Sequence, residues 1–180
     1  MRELPQQVLR RLVGFVQQDI FLFTGDVRSN IALARALTDG EIMDTARRVG
    51  VDRLLERLPE GLGHRLGERG QSVSVGERQL LAFARALAAD PAILVLDEAT
   101  SSVDAEAEER IQRAIAELMR GRTCLVVAHR LSTIQHADEI LVLHRGEVRE
   151  RGTHRELLAA GGLYDKLYAL QIGTRLAAAS

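Results

Sequence analysis

Lysine is nearly missing from this chain. Of 24 basic residues in 180, only Lys166 is a lysine, and it stands in YDKLY with no glycine frame around it. No GxxxxGK[ST] phosphate loop therefore lies within these residues. Cysteine is equally scarce. Cys124 is alone, which excludes an internal disulfide; it sits in an apolar run, reads as a small buried hydrophobe, and permits a reducing compartment. Long hydrophobic runs are lacking too. Ala92 to Leu96 is typical and is far too short to cross a bilayer, and no secretory leader is expected at the start. Any link to a membrane is expected to come through a partner or a fused segment. A formal charge of -1 provides no field for nucleic acid or anionic lipid.

What is present is ordinary globular material. Hydrophobic residues make up 46% and charged residues 27%, and 180 residues suit one domain or a large piece of one. Strand-like and helix-like segments alternate without repeats. Leu12 to Val16 is a short apolar run, followed by Gln17-Gln18-Asp19 and then the apolar IFLF. Asp26 to Leu58 turns helical, with apolar residues three and four apart. Glycines around Leu62 to Gln71 mark a loop. Ser74 and Glu77 form a capping box at the head of a helix reaching Ala89, where Asp90-Pro91 ends it.

Ala92 to Leu96, apolar at every position, predicts a strand buried on both faces as in a parallel sheet, and Thr123 to Ala128 predicts a second. Between them, Ile111, Ala114, Ile115, Leu118 and Met119 share one face of a helix over Ala105 to Arg120, with Gly121 as C-cap. Ile140 to Leu143 and Val148 flank a turn and predict a hairpin. Thr153 with Glu156 opens a short helix, and a last helix spans Leu163 to Gln171. Buried strands alternating with helices give an α/β sheet, into which the block from about Asp26 to Ala89 looks inserted.

Chemistry gathers at a few positions. Asp97 and Glu98 follow an apolar strand directly, so both carboxylates leave at the carboxyl edge of the sheet, where α/β folds bind ligands. An aspartate there can hold Mg2+ through water, and a glutamate beside it can act as general base toward water. Acidic residues also end many strands merely as caps. Ser74 is a helix cap on any reading. With Gly76 letting backbone come close, that helix start also presents free N–H groups and a positive dipole end to an anion. His129 at a strand end, and Gln18 after one, are by themselves ordinary structural residues.

Taken in order, these weak signals are specific. Val16-Gln17-Gln18-Asp19, then Ser74 to Gln79, then the strand with Asp97-Glu98-Ala99-Thr100-Ser101, then Ala128-His129-Arg130 resemble the nucleotide-binding domain of ABC transporters. The likeness is to the exporter type and runs from about Leu4 to Gln171. It implies a P-loop NTPase core of ABC type, here incomplete, with an inserted, mainly helical subdomain. The expected division is 1–25 as partial core, 26–89 as helical signature subdomain, 90–175 as the rest of the core, and 176–180 as a tail.

The resemblance also implies roles. Gln18 matches the Q-loop glutamine, which touches Mg2+ and the attacking water and senses the membrane domain. Val73 to Glu77 stands where LSGGQ sits, so Ser74, Gly76 and Glu77 are expected at ATP. Asp97 matches the Walker B aspartate, Glu98 the catalytic glutamate and His129 the switch histidine. Ser101 to Asp104 resembles the D-loop, with Ser101 and Asp104 near nucleotide, and Gly67 to Gly70 resembles the X-loop. ATP and Mg2+ follow as ligands. Expected partners are a second nucleotide-binding domain and a transmembrane domain met through the Q-loop and X-loop, with no nucleic acid, at the cytoplasmic face of the cell membrane.

Val75 and Glu77 depart from LSGGQ, while Ser74 and Gly76 keep the residues expected to face phosphate. Glu98 and His129 match the competent pattern. Only 17 residues precede Gln18, fewer than the family's aromatic A-loop and P-loop need, so the chain is expected to be N-terminally incomplete and inactive alone. Two other readings stand beside the exporter ATPase. One is a soluble ABC ATPase, which would need tandem cassettes or coiled-coil arms. The other is a non-catalytic fragment or interaction module that depends on a complete partner for ATP.

Overall fold

A computed structural model describes residues 5–33, 35–67, 72–97, 104–128 and 131–178, the side chains of 131–132 and 171–178 excepted. The chain divides into two compact units, Met1–Val127 and Ala128–Ser180.

The first unit runs α1 (Gln6–Leu12), β1 (Val13–Val16), β2 (Gly25–Asp26), α2 (Val27–Ala32), α3 (Asp39–Arg48) and α4 (Asp52–Arg57). A 3-10 turn at Gly61–Gly63, β3 (Arg65–Leu66), α5 (Val75–Ala88), β4 (Ile93–Asp97), α6 (Ala105–Met119) and β5 (Thr123–Val127) complete it. Strands β1, β4 and β5 form a parallel sheet in that order, with Val16 opposite Leu96 and Asp97 opposite Val127. Close approach fixes the entry to this sheet. A Cβ on Gly14 would stand 2.6 Å from Cγ of Pro91, so only glycine lets β1 pass the start of β4.

Periodicity explains which face is covered. Val16, Leu94 and Leu96, with the partly buried Cys124 and Val126, join Leu80, Phe83 and Leu87 of α5 and Ile111, Ile115 and Leu118 of α6 in one core. The helical block adds Val27, Ile31, Ile42, Val49, Val51 and Leu54 to the same core. Its helices start on side-chain caps: Asp26 accepts the Ser29 N–H at 2.7 Å, and Thr38 with Glu41 makes a capping box.

The opposite face of the sheet corrects the expectation that both strands are fully buried. Phe15, Leu125 and Val127 are 54%, 60% and 51% exposed, and β4 alternates between buried and half-buried. A run apolar at every position signals cover on both faces, whereas the elements of this unit cover one.

The second unit contains α7 (Leu131–Ile134), β6 (Ile140–His144), β7 (Glu147–Gly152), α8 (His154–Ala159) and α9 (Leu163–Ala178). The hairpin expected from sequence is β6–β7, closed at Arg145 (φ 53°) and Gly146 (φ 79°), the two positive angles of a type I′ turn. Its core is small: Val142, Leu157 and Tyr164. The Glu150 carboxylate accepts the N–H groups of Leu163 and Tyr164 and so caps α9 from the neighbouring strand.

Candidate functional site

The site begins with strand ends. Because β1 and β4 are parallel and Val16 pairs with Leu96, the residues that follow them leave the sheet side by side at its carboxyl edge. Gln17 and Gln18 follow β1 and Asp97 closes β4; with Gln79 of α5 they line one pocket. Leu96, Phe83 and Val126 form its apolar wall. Its volume of about 10 Å³ is room for about one water. The side-chain amides of Gln17, Gln18 and Gln79 and the Asp97 carboxylate make no hydrogen bond or ion pair among the described residues. Such an array, with no partner among the described residues, can orient a water or coordinate a hard cation.

Helix α5 carries the second group. Ser74 is its N-cap, with its Oγ accepting the Glu77 N–H at 3.2 Å while Glu77 Oε2 accepts the Ser74 N–H at 2.8 Å. The other Glu77 oxygen pairs with Arg57 of α4. Both of its carboxylate oxygens are therefore engaged within the fold, whereas Ser74 and Val75 stand exposed at the helix start. Asp104 caps α6, its Oδ1 accepting the Ala107 N–H at 2.8 Å. Glu98, Ser101 and His129, and the loop positions Glu68 to Gly70, lie outside the described residues.

The segment between Gln18 and α2 is held from behind. Asn30, 1% exposed, accepts the Phe23 N–H at 2.8 Å and donates to the carbonyls of Phe23 and Asp26. Arg85 of α5 donates to the carbonyls of Phe21 and Asn30, both at 2.9 Å, and stacks over the Phe23 ring at 5.2 Å. Burial pulls the Arg85 guanidinium below its ordinary value, and it stays charged because arginine titrates so high. Phe21 and Phe23, edge to face at 5.1 Å, are left exposed on the outer side of this segment.

Thus the described members of the expected set fall into groups. Gln18 and Asp97 meet in the pocket, Ser74 caps α5 and is exposed while Gly76 in its first turn is buried, and Glu77 and Asp104 serve helix starts. Gln79 and Gln17 were not singled out by sequence reasoning. Gln79 follows the buried Gly76 by three residues on α5, and it is the packing of α5 against the sheet that brings it to the pocket. Arg85 and Asn30 carried no sequence signal, because their pairing spans 55 residues.

A family model described as ABC transporter matches residues 1–101. The chain is 50% identical over 173 residues to "Probable multidrug resistance ABC transporter ATP-binding/permease protein YheH" of Bacillus subtilis, covering 96% of this chain and 26% of that protein. It is 47% identical to "Putative ABC transporter ATP-binding protein exp8" of Streptococcus pneumoniae, covering 96% of this chain and 30% of that protein. Among solved structures, "Structure of a bacterial Atm1-family ABC exporter with ATP bound" aligns with a TM-score of 0.85 and 38% identity, over 95% of this chain and 30% of that one. The chain therefore spans less than a third of the relatives it matches.

Proposed function

Because the chain belongs to the ABC transporter family, as an ATP-binding domain of exporter type, we propose that it supplies one half of a paired ATP-hydrolysing site that drives transport across a membrane. The observation that carries this reading is the convergence of Gln18 and Asp97 in one pocket at the carboxyl edge of a parallel sheet.

The donor set fits the cofactor the reading needs. One carboxylate and the amide oxygens suit Mg2+, which takes oxygen ligands, keeps several waters and leans on substrate phosphates. Asp97 and Gln18 would hold Mg2+, which would supply charge neutralisation at the terminal phosphates of ATP. Gln18 and Gln79 orient the attacking water in the one-water space between them. Glu98, next in sequence to Asp97, takes the proton from that water as general base, and His129 donates to the terminal phosphate. Ser74 and Gly76 at the α5 start face the ATP of a second nucleotide-binding domain, the positive end of the helix favouring its phosphates. Ser101 and Asp104 stand near that shared nucleotide. In this reading the exposed Phe21–Phe23 pair and residues 67–70 receive the transmembrane domain, and the domain works at the cytoplasmic face of the cell membrane.

Hydrolysis is mainly positioning and charge stabilisation, and a glycine-framed lysine normally cradles the β- and γ-phosphates. The 180 residues hold no such loop. Alone they are expected to bind MgATP weakly and to turn none over. The test is a graft of residues 5–171 onto the preceding part of the 50%-identical relative. ATP turnover is expected in the graft, and Glu98→Gln is expected to lower it by a factor of roughly 100 to 10,000. A folded graft without turnover, or one indifferent to Glu98→Gln, would contradict the reading.

A further inference from the structure

Away from that pocket, three helices of the first unit converge arginines on one cleft. Arg47 and Arg48 end α3, Arg53 lies in the first turn of α4, and Arg110 and Arg113 sit one turn apart on α6. The cleft is open to solvent and has a volume of about 280 Å³, many times the roughly 10–15 Å³ that one water needs. Among the described residues, the only acid lining it is Asp52.

Three of the five arginines are paired. Arg47 meets Asp44 at 3.1 Å and Arg113 meets Glu109 at 2.8 Å, both with side chains more than half exposed, while Arg48 reaches the better-shielded Glu117 at 2.8 Å. Exposed pairs within one helix are weak and give way to a stronger acceptor. Arg53 and Arg110 have no ion pair among the described residues. The Nε of Arg110 is shut off from solvent and also lacks a hydrogen-bond partner. A donor left unmade is costly, and Arg110 lies with Arg113 on a helix that faces the three guanidiniums of Arg47, Arg48 and Arg53, a cluster that an anion entering the cleft would relieve.

We propose that this cleft binds a phosphate dianion, borne by a free phosphate compound or by a lipid headgroup. Guanidinium groups offer planar, forked donors that match phosphate oxygens two at a time, and arginines from separate helices approach one tetrahedral anion from several sides. The nearly balanced count, five guanidiniums against Asp52, Asp44, Glu109 and Glu117, means that recognition rests on placed donors rather than on a long-range field. The site is separate from Gln18 and Asp97 and does not depend on the roles given to them.

The 180-residue chain is titrated with inorganic phosphate and pyrophosphate by calorimetry. It is also floated with phosphatidylcholine vesicles with and without phosphatidic acid. Saturable binding to the phosphates, or to the acidic vesicles alone, is expected, and each assigns one source of the same ligand chemistry. Arg53→Ala with Arg110→Gln should weaken it about tenfold or more. Arg110→Lys, which keeps the charge but removes the Nε donor, should weaken it less, and Arg28→Ala outside the cleft should not. Asp97→Asn should leave it intact. Absence of binding to every probe, equal loss on Arg28→Ala, insensitivity to the paired cleft substitutions in a chain of unchanged melting temperature, or loss on Asp97→Asn would each overturn the proposal.

Discussion

Arg85 shows how one residue ties the chemistry to the scaffold. Its guanidinium reaches the Phe21 and Asn30 carbonyls and the Asn30 side chain, joining the segment after Gln18 to α5. Removing it leaves the buried Asn30 oxygens short of a charge-assisted donor, each such bond being worth about 1.5–3 kcal/mol. Arg85→Ala is therefore expected to lower unfolding free energy by about 3 kcal/mol, read as a shift of the denaturant midpoint at unchanged slope. A shift under a third of that would remove Arg85 from this role. Cys124 gives a second expectation. Burial pushes its thiol up, and its sulfur lies against the Met119 and Arg122 carbonyls, so at neutral pH it should alkylate more slowly in the folded chain than in urea.

Helix starts dominate at the level of elements. Capping boxes at Thr38–Glu41, Ser74–Glu77 and Thr153–Glu156 and the caps at Asp26 and Asp104 set where five helices begin. Two of these boxes, at Ser74 and Thr153, were legible in sequence because a capping box is a local pair of residues three positions apart. Hydrogen bonds from Ser29 hold the Asp26 carboxyl below its usual range, and bonds from Thr38 and Thr153 do the same for Glu41 and Glu156. A carboxyl lowered by folding stabilises the fold above its unfolded value, and the gain is lost as pH falls through the folded one. Stability is thus expected to hold above about pH 5 and to decline below about pH 4, near the unfolded values, in pH-dependent melts. Thr38→Ala should cost about 1 kcal/mol and flatten part of that decline; unchanged acid sensitivity in the variant would contradict the assignment.

At the scale of the molecule, the sheet carries an apolar face that its own unit leaves open. Sequence reasoning found the parallel strands and the residues at their carboxyl edge, because strand identity is local. It overestimated burial, because exposure depends on which layers pack on the sheet. Gln79 and the Arg85–Asn30 network escaped it for the same reason, being products of packing between distant segments. The two faces make a paired prediction. Leu94→Ala, at 0% exposure in the core, should cost about 2–5 kcal/mol, whereas Leu125→Thr, at 60% exposure, should change stability by about 0.5 kcal/mol or less. Leu125→Thr together with Val127→Thr should also reduce binding of a hydrophobic dye such as ANS.

The pocket between Gln18, Gln79 and Asp97 stands at the centre of this account. In the graft that turns over ATP, Gln79→Ala is the most direct measurement, because its place in the pocket comes from the fold and no role was assigned to it from sequence. If Gln79 positions the water, kcat should fall about tenfold or more with KM for ATP nearly unchanged, and the melting temperature should hold. If kcat is untouched, or if KM and stability change while kcat does not, Gln79 is packing alone and the pocket is not where the water is held.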